Sequence, residues 1–160
     1  MGSQAIQDRL QLALCAARFG EGDTVLEILS RIGAKSTYPS LMTQKQEDGK
    51  TFVVDGAGAI PEIVNSCLLY SQPGKLNVLP ALPPNLSTGE IRGLSGRSTG
   101  GAKLTITRLH WSPTTVDLEL VSTKDQTISI RMPKTAPQVA APIRLTANQP
   151  ATFHFPLKGN

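Results

Sequence analysis

The hydrophobic period of the chain changes once, near Gly74, and this change constrains the fold more than any other feature. Before Gly74, apolar residues recur at the three- and four-residue spacing of amphipathic helices. After it, apolar and polar residues alternate in short runs separated by Pro, Gly and Thr, as in half-buried strands. Strands this close together, without helices between them, favour an antiparallel sandwich or barrel. We therefore expect an α+β chain, with helices over residues 1–74 and a small antiparallel β-sandwich-like domain over residues 75–160.

Helices are predicted at three places in the first part. Gln4–Arg18 carries an apolar face and is followed by Gly20, a residue that tolerates the positive φ of a helix end. A second helix is expected at the Thr24-x-x-Glu27 capping box. A third is expected to begin after Gly58 and to end at Gln72-Pro73-Gly74. Its core face should hold Ile60, Ile63, Val64, Cys67 and Leu68.

These helices cannot bury all of their apolar surface by themselves. The first two are joined by a short turn, and such a pair exposes apolar residues on two sides. Helix arrays solve this problem by stacking, because each pair completes the core of its neighbour. We therefore expect the first part to be the end of a larger helical domain.

The strands of the second part are predicted from alternating apolar residues. The clearest stretch is Lys103–Trp111, and two further alternations lie within Val116–Leu120 and Ile128–Met132. Short strands are also expected at residues 76–79, 144–145 and 153–157.

Composition and charge argue against several classes of function. The net charge is +4, but the Lys and Arg residues form no run or stripe, so no nucleic-acid partner is expected. No segment approaches the roughly 20 continuous apolar residues of a membrane span, so no membrane partner is expected. Cys15 and Cys67 lie among apolar residues, as free thiols often do, while a disulfide between them stays open. With His110 and His154 both in the second part, no metal-ligand spacing occurs, and we predict neither metal nor cofactor.

Several separated stretches of the sequence resemble the motifs of one protein family, and they occur in the same order along the chain. Tyr38-Pro39-Ser40-Leu41 is similar to a Tyr-Pro-Asn-Leu motif, and Val54-Asp55-Gly56 to an Ile-Asp-Gly motif. Leu68-Leu69-Tyr70-Ser71 is similar to Leu-Leu-Gln-Ser. Gln11–Arg31 resembles a pair of barrel helices, and Leu79–Pro83 resembles a linker into a β domain. In this order the motifs resemble the C-terminal end of glycoside hydrolase family 95.

The resemblance implies a fold and a chemistry. Residues 1–74 would be the terminal helices of an (α/α)6 barrel catalytic domain, and residues 75–160 its C-terminal β domain. Family members include α-L-fucosidases and some α-L-galactosidases, which act on oligosaccharides or polysaccharides by inversion. The Asp of the Asp-Gly segment is their general base, which makes Asp55 the implied general base here.

Further implications concern the parent enzyme. The family's general acid, a Glu, lies outside this chain, so the isolated piece is expected to be inactive. The resemblance also implies a bacterial parent that is secreted or periplasmic. Family fucosidases continue Asp-Gly-Asn-Phe-Gly-Gly, whereas this chain continues Asp55-Gly56-Ala57-Gly58-Ala59-Ile60, which leaves the sugar and the substrate-binding residues open. The two glycines predict that Asp55 is presented on a loop before the third helix.

Other interpretations of these residues stay open. Asp55-Gly56 is also a common turn dipeptide, and a Glu such as Glu62 ordinarily belongs at the start of a helix. Trp111 can stack on a sugar, but a lone Trp at a strand end more often packs in a core or at a domain interface. The alternative functions are a non-catalytic carbohydrate-binding or scaffolding β module, which requires exposed aromatic residues, and an interaction protein that dimerises through its helices.

Overall fold

The structure is a computed structural model that describes residues 5–47, 50–83, 85–97, 101–133 and 141–157. The described residues are α+β, with three helices and eleven strands. Contacts divide the chain into two compact units, Met1–Leu68 with Ala81–Pro84 and Leu69–Pro80 with Asn85–Asn160. We call them the helical unit and the β unit. The domain limits at residues 74 and 75 stay a prediction.

The helices of the described helical unit are α1 (Ile6–Phe19), α2 (Gly22–Lys35) and α3 (Asp55–Leu68). α1 packs against both α2 and α3. Gly20 follows α1 with φ 82°, and the N–H of Glu21 donates to the Ala16 carbonyl at 2.9 Å. This is the Schellman arrangement that a glycine after the last helical residue favours. The predicted end of the first helix is confirmed.

The start of α2 differs from its predicted capping box. The helix begins at Gly22, before Thr24, and no side-chain hydrogen bond caps it. A Cβ on Gly22 would lie 2.7 Å from the Ala81 carbonyl oxygen, so glycine lets the helix start approach this backbone closely. A tertiary contact therefore sets the start of α2, and the capping-box prediction is wrong.

The start of α3 also differs from its prediction. The helix begins at Asp55 rather than after Gly58, and the Ala57 N–H donates to the Val54 carbonyl at 3.0 Å. An aspartate in the first turn suits the positive end of the helix dipole. Asp55 is therefore the first residue of a helix, and the predicted loop presentation is wrong.

The end of α3 comes earlier than the sequence predicts. The helix stops at Leu68, and strand β3 (Leu69–Gln72) follows at once. This strand pairs antiparallel with β4 (Lys75–Val78) across a turn in which Gly74 has φ 71°. A short apolar run fits the helical period and the strand period equally well, so pairing with β4 determines that these residues form a strand.

One face of each helix builds the core of the helical unit. On α3 this face contains Gly56, Ile63 and Cys67, which the helical period of 3.6 residues places on one side of the helix. Val64 lies to the side of this face and is exposed, so its predicted place in the core is wrong. The other core residues include Ile6, Leu10, Ala13, Ala17, Val25 and Ile32.

Large apolar side chains are left exposed mainly on the helical unit. Within the described residues they are Leu12, Phe19, Leu41, Met42, Phe52, Val54 and Val64, whereas the β unit exposes Leu86. Leu12 and Phe19 are seven positions apart and therefore share one face of α1. Both side chains are exposed, so no other part of the described helical unit covers this face.

The β unit contains two sheets within the described residues. Besides β3 and β4, the strands of this unit are β5 (Gly89–Ile91), β6 (Leu94–Arg97), β7 (Lys103–Trp111), β8 (Thr115–Ser122), β9 (Gln126–Arg131), β10 (Ile143–Leu145) and β11 (Pro150–Pro156). One sheet has the strand order β10-β9-β4-β3, and the other has the order β11-β8-β7-β5, with β6 also paired to β7.

Most, but not all, of the pairing in these sheets is antiparallel. β4 and β9 are parallel neighbours, because the chain passes through the other sheet between them and can return in the same direction. The all-antiparallel pairing predicted from the sequence is therefore wrong at this pair. The alternation predicted for β7, β8 and β9 is confirmed, with one shift in β7, where a β-bulge between Ile106 and Arg108 adds a residue before the next buried position.

No helix in the described parts of the chain combines the length and the apolar character needed to cross a membrane.

Candidate functional site

Asp55 lies exposed at the point where a small ribbon meets α3. The ribbon consists of β1 (Thr43–Gln44) and β2 (Phe52–Val53), paired antiparallel, and Asp55 follows β2 after a single residue, Val54. Its carboxylate therefore stands where the chain turns from strand into helix. The side chain is open to solvent and is available to a ligand.

Gln7 of α1 contacts this carboxylate directly. Its Nε2 donates to Asp55 Oδ2 at 2.7 Å, although the two residues are 48 positions apart in the sequence. Gln7 is half-buried, and its neighbour Ile6 is buried in the helical core. The backbone N–H of Ile6 also donates to the Lys45 carbonyl at 3.0 Å, which ties the start of α1 to the chain just after β1. The donor thus sits on a fixed element.

Thr43 and Gly56 fix the start of α3. Thr43 is 4% exposed, and its Oγ1 donates to the Val53 carbonyl at 2.7 Å. A Cβ on Gly56 would overlap the Thr43 side chain, so only glycine allows this approach. Because Gly56 directly follows Asp55, the contact also sets where the Asp55 backbone lies. Gly58, by contrast, has open space around it.

A buried arginine holds the segment that carries Thr43. Arg9 of α1 is 6% exposed, donates to Ser36 Oγ at 3.3 Å and forms an ion pair with Glu47. Arg31 pairs with the same carboxylate at 3.1 Å. The hydrogen bond from Arg31, and next that from Arg9, lower the pKa of Glu47. These contacts anchor both ends of the segment between α2 and β2.

Sequence reasoning located Asp55 but not the residues around it. Gln7, Thr43 and Arg9 come from separate elements, and no local pattern links them to Asp55. Glu62 lies in the middle of α3 instead of at a helix start, so its expected position is wrong. The structure brings no second carboxylate into hydrogen-bond contact with Asp55 among the interactions of the described residues.

Trp111 is packed inside the β unit. It is 6% exposed, its Nε1 donates to the Leu86 carbonyl at 2.8 Å, and its ring lies against Gly89, its partner on β5. The predicted packing role of Trp111 is confirmed. The other described aromatic residues of the β unit, Tyr70, Phe153 and Phe155, are half-buried. The described β unit therefore lacks the exposed aromatic platform that a carbohydrate-binding module requires.

Two histidines flank an aspartate on the outer face of the five-stranded sheet. His110, Asp117 and His154 are register partners on β7, β8 and β11. The Nδ1 atoms lie 3.2 and 2.6 Å from the two Asp117 oxygens, for His110 and His154 respectively. The hydrogen bond with His154 is the largest cause that lowers the pKa of Asp117. His110 is half-buried and His154 is exposed.

The cysteines differ in environment and are both free thiols. Cys67 is buried in the helical core, and burial raises the pKa of its thiol to about 11, so it is a poor nucleophile. Cys15 is exposed on α1. Across the residues that the structure describes, no group of three or more His, Cys, Asp and Glu side chains is arranged to hold a metal ion.

Together these observations define an α+β chain in which a C-terminal β unit follows helices that leave apolar faces and one supported carboxylate exposed. Comparison with protein families matches residues 70–158, more than half of the chain, to glycoside hydrolase family 95, C-terminal domain. The chain belongs to glycoside hydrolase family 95. A glycoside hydrolase cleaves carbohydrates, so carbohydrate is the class of substrate that the family implies for the parent enzyme. Direct comparison with curated proteins finds no match.

Proposed function

We propose that this chain is the C-terminal part of an inverting glycoside hydrolase and that Asp55 is the general base. The observation that carries the proposal is the Asp55 carboxylate itself. It is exposed at the start of α3, held by Gln7 through one oxygen, and fixed in the backbone by the Thr43–Gly56 contact. A general base needs this combination of access and fixed position.

The proposed reaction is a single displacement. The Asp55 carboxylate takes a proton from a water molecule, and the oxygen of that water bonds to the anomeric carbon. The glycosidic bond breaks, and its leaving oxygen receives a proton from a Glu in the upstream part of the parent enzyme. The two carboxyl groups of an inverting glycosidase stand about 6.5–9.5 Å apart, which leaves room for the water.

The helical unit is proposed to form the last helices of an (α/α)6 barrel. The exposed face of α1, with Leu12 and Phe19, supports this arrangement because it offers apolar surface to further helices. Phe52 and Val54 beside Asp55 are exposed as well. In a complete barrel these side chains would be covered, and the Asp55 carboxylate would face an enclosed site.

The proposed substrates are α-linked L-fucosides or L-galactosides. This assignment follows the family resemblance of Val54-Asp55-Gly56 and the segments around it. Ala57 and Gly58 replace the Asn and the Phe of the family fucosidases, so the sugar pocket differs from theirs near the base. The isolated chain is proposed to be inactive, because it does not include the general acid.

The experiment compares this chain with the complete protein. The coding DNA upstream of Met1 is read, and the protein encoded by the whole frame is produced beside the 160-residue chain. Both are assayed with aryl α-L-fucoside and aryl α-L-galactoside, and proton NMR follows the first product. We expect turnover from the complete protein alone, with a product of inverted, β configuration. Three results would contradict the proposal. They are a product of retained configuration, any turnover by the isolated 160-residue chain, and a frame that encodes no further helical sequence.

A further inference from the structure

We propose that Gln7 is a positioning residue that orients the Asp55 carboxylate for proton abstraction, an inference that rests on the proposed function of Asp55. The Gln7 Nε2 donates to Asp55 Oδ2 at 2.7 Å. Asp55 Oδ1 is then the oxygen left to accept the proton of the attacking water.

The position of Gln7 suits this role. It lies in the first turn of α1, on a helix whose buried residues Ile6, Arg9 and Leu10 surround it in sequence. α1 packs directly against α3, which begins with Asp55. The donor and the acceptor thus lie on two packed helices, and the hydrogen bond spans from one to the other.

A hydrogen bond to one oxygen fixes the orientation of the Asp55 carboxylate, which the backbone contact leaves free. The Thr43–Gly56 contact places the start of α3, but the planar carboxylate of an exposed aspartate still turns about its last side-chain bond, for which rotamer preferences are broad. The Gln7 amide removes this freedom by holding Oδ2. A misplacement of about 1 Å at a reacting group is enough to reduce turnover roughly a hundredfold.

The chemistry of an amide also suits the task. An amide donates to the carboxylate without placing a full positive charge beside it, so it supports the anion without forming an ion pair. A Lys or Arg at this position would compete with the water for the carboxylate. Gln7 therefore orients the base and leaves it free to react.

The test uses the complete enzyme and a matched pair of variants on α1. Gln7→Met keeps the length of the side chain and removes the donor, and Gln7→Glu keeps its shape and also removes the donor. Gln11→Met makes the same change one helical turn away at an exposed residue. We expect both Gln7 variants to lose about 10- to 100-fold in kcat with KM changed less than about threefold, while Gln11→Met behaves like the wild type.

A second measurement separates an action through Asp55 from a general effect. Because Gln7 acts through the carboxylate, Gln7→Met should cost nothing further in an enzyme that already carries Asp55→Asn. Independent losses that multiply in the double variant would overturn the inference. So would a normal kcat in Gln7→Glu, or a raised KM at unchanged kcat in either Gln7 variant.

The outcomes also separate this inference from the proposed function. If Asp55→Asn retains normal turnover, Asp55 is not the base and the proposed function itself fails. If Asp55→Asn is inactive while Gln7→Met matches Gln11→Met in kcat, Asp55 remains the base and the role of Gln7 is refuted.

Discussion

At the scale of single residues, the site depends on one close contact between a glycine and a threonine. Thr43 fills the space next to Gly56 and is itself held by its hydrogen bond to the Val53 carbonyl. Gly58, two positions later on the same helix, meets nothing within 4 Å of the place where a Cβ would lie. Gly56 is therefore required by packing, whereas Gly58 only carries the ordinary cost in stability of a glycine inside a helix.

Substituting alanine should destabilise the protein at Gly56 but not at Gly58. Gly56→Ala forces the start of α3 away from Thr43 and should lower the free energy of unfolding by about 1–3 kcal/mol. Gly58→Ala adds a methyl group into open space in a helix and should leave stability unchanged or raise it by up to about 1 kcal/mol. Urea unfolding followed by circular dichroism measures both.

Thr43→Ser provides the control for this pair. It removes the methyl group that a Cβ on Gly56 would meet and keeps the hydroxyl. The stability lost in Gly56→Ala should therefore be partly recovered in the Thr43→Ser, Gly56→Ala double variant. Equal losses at Gly56 and Gly58 would show that the contact is unimportant.

At the scale of elements, one aspartate links three strands of the larger sheet. Asp117 on β8 contacts His110 on β7 and His154 on β11, and all three side chains share one face. Glu90 and Arg108 form an ion pair on the same sheet at 2.9 Å. Polar contacts across neighbouring strands of this kind add to the backbone hydrogen bonds of the sheet.

The Asp117 contacts predict a dependence of stability on pH. Because folding lowers the pKa of Asp117, the carboxylate stabilises the fold above its unfolded pKa, near 3.9, and this contribution is lost as pH falls through the lower, folded pKa. Asp117→Asn should therefore be less stable than the wild type at pH 7. The difference should shrink as pH falls from about 5 to below 3.

Urea unfolding over this pH range, with Asp23→Asn as the control for charge, measures the effect. Asp23 is exposed in the first turn of α2, in the other unit. A difference between Asp117→Asn and the wild type that stays constant from pH 7 to pH 3 would contradict the prediction.

The elements that the sequence predicted well are those whose pattern is local. Lys103–Trp111 is predicted as a strand and forms β7, and the Gly20 helix end is confirmed. The predictions from sequence were wrong where a contact with a distant residue determines the bounds of an element. The backbone at Ala81 sets the start of α2, Thr43 sets the start of α3, and pairing with β4 converts Leu69–Gln72 into a strand.

At the scale of the whole molecule, the two units differ in how completely they bury their apolar residues. Phe19 is 80% exposed and Leu12 is 55% exposed on one face of α1, whereas Leu86 is the exposed large apolar residue of the described β unit. Exposed apolar surface of this kind usually marks an interface. The contrast agrees with a helical unit that is completed by further helices of the same enzyme.

The candidate site was predictable only in part, because contacts between distant parts of the chain bring its residues together. A short motif with a glycine at its end singled out Asp55 as a candidate, because a motif is local. Gln7 and Thr43 join Asp55 through tertiary contacts between α1, the β1–β2 ribbon and α3. No periodicity or spacing in one sequence encodes such contacts, so the surroundings of the carboxylate required the structure.

The turnover of Asp55→Asn in the complete enzyme, compared with that of Asp23→Asn, tests the central claim most directly. Both residues are exposed aspartates in the first turn of a helix of the same unit, and both variants lose the same charge. We predict that Asp55→Asn lowers kcat by about 100- to 10,000-fold, the usual contribution of a general base, with an unchanged circular dichroism spectrum. Asp23→Asn should stay within about twofold of the wild type, as expected of a surface substitution away from the site. Near-normal turnover by Asp55→Asn, or an equal loss in both variants, would contradict the role of Asp55 as the general base.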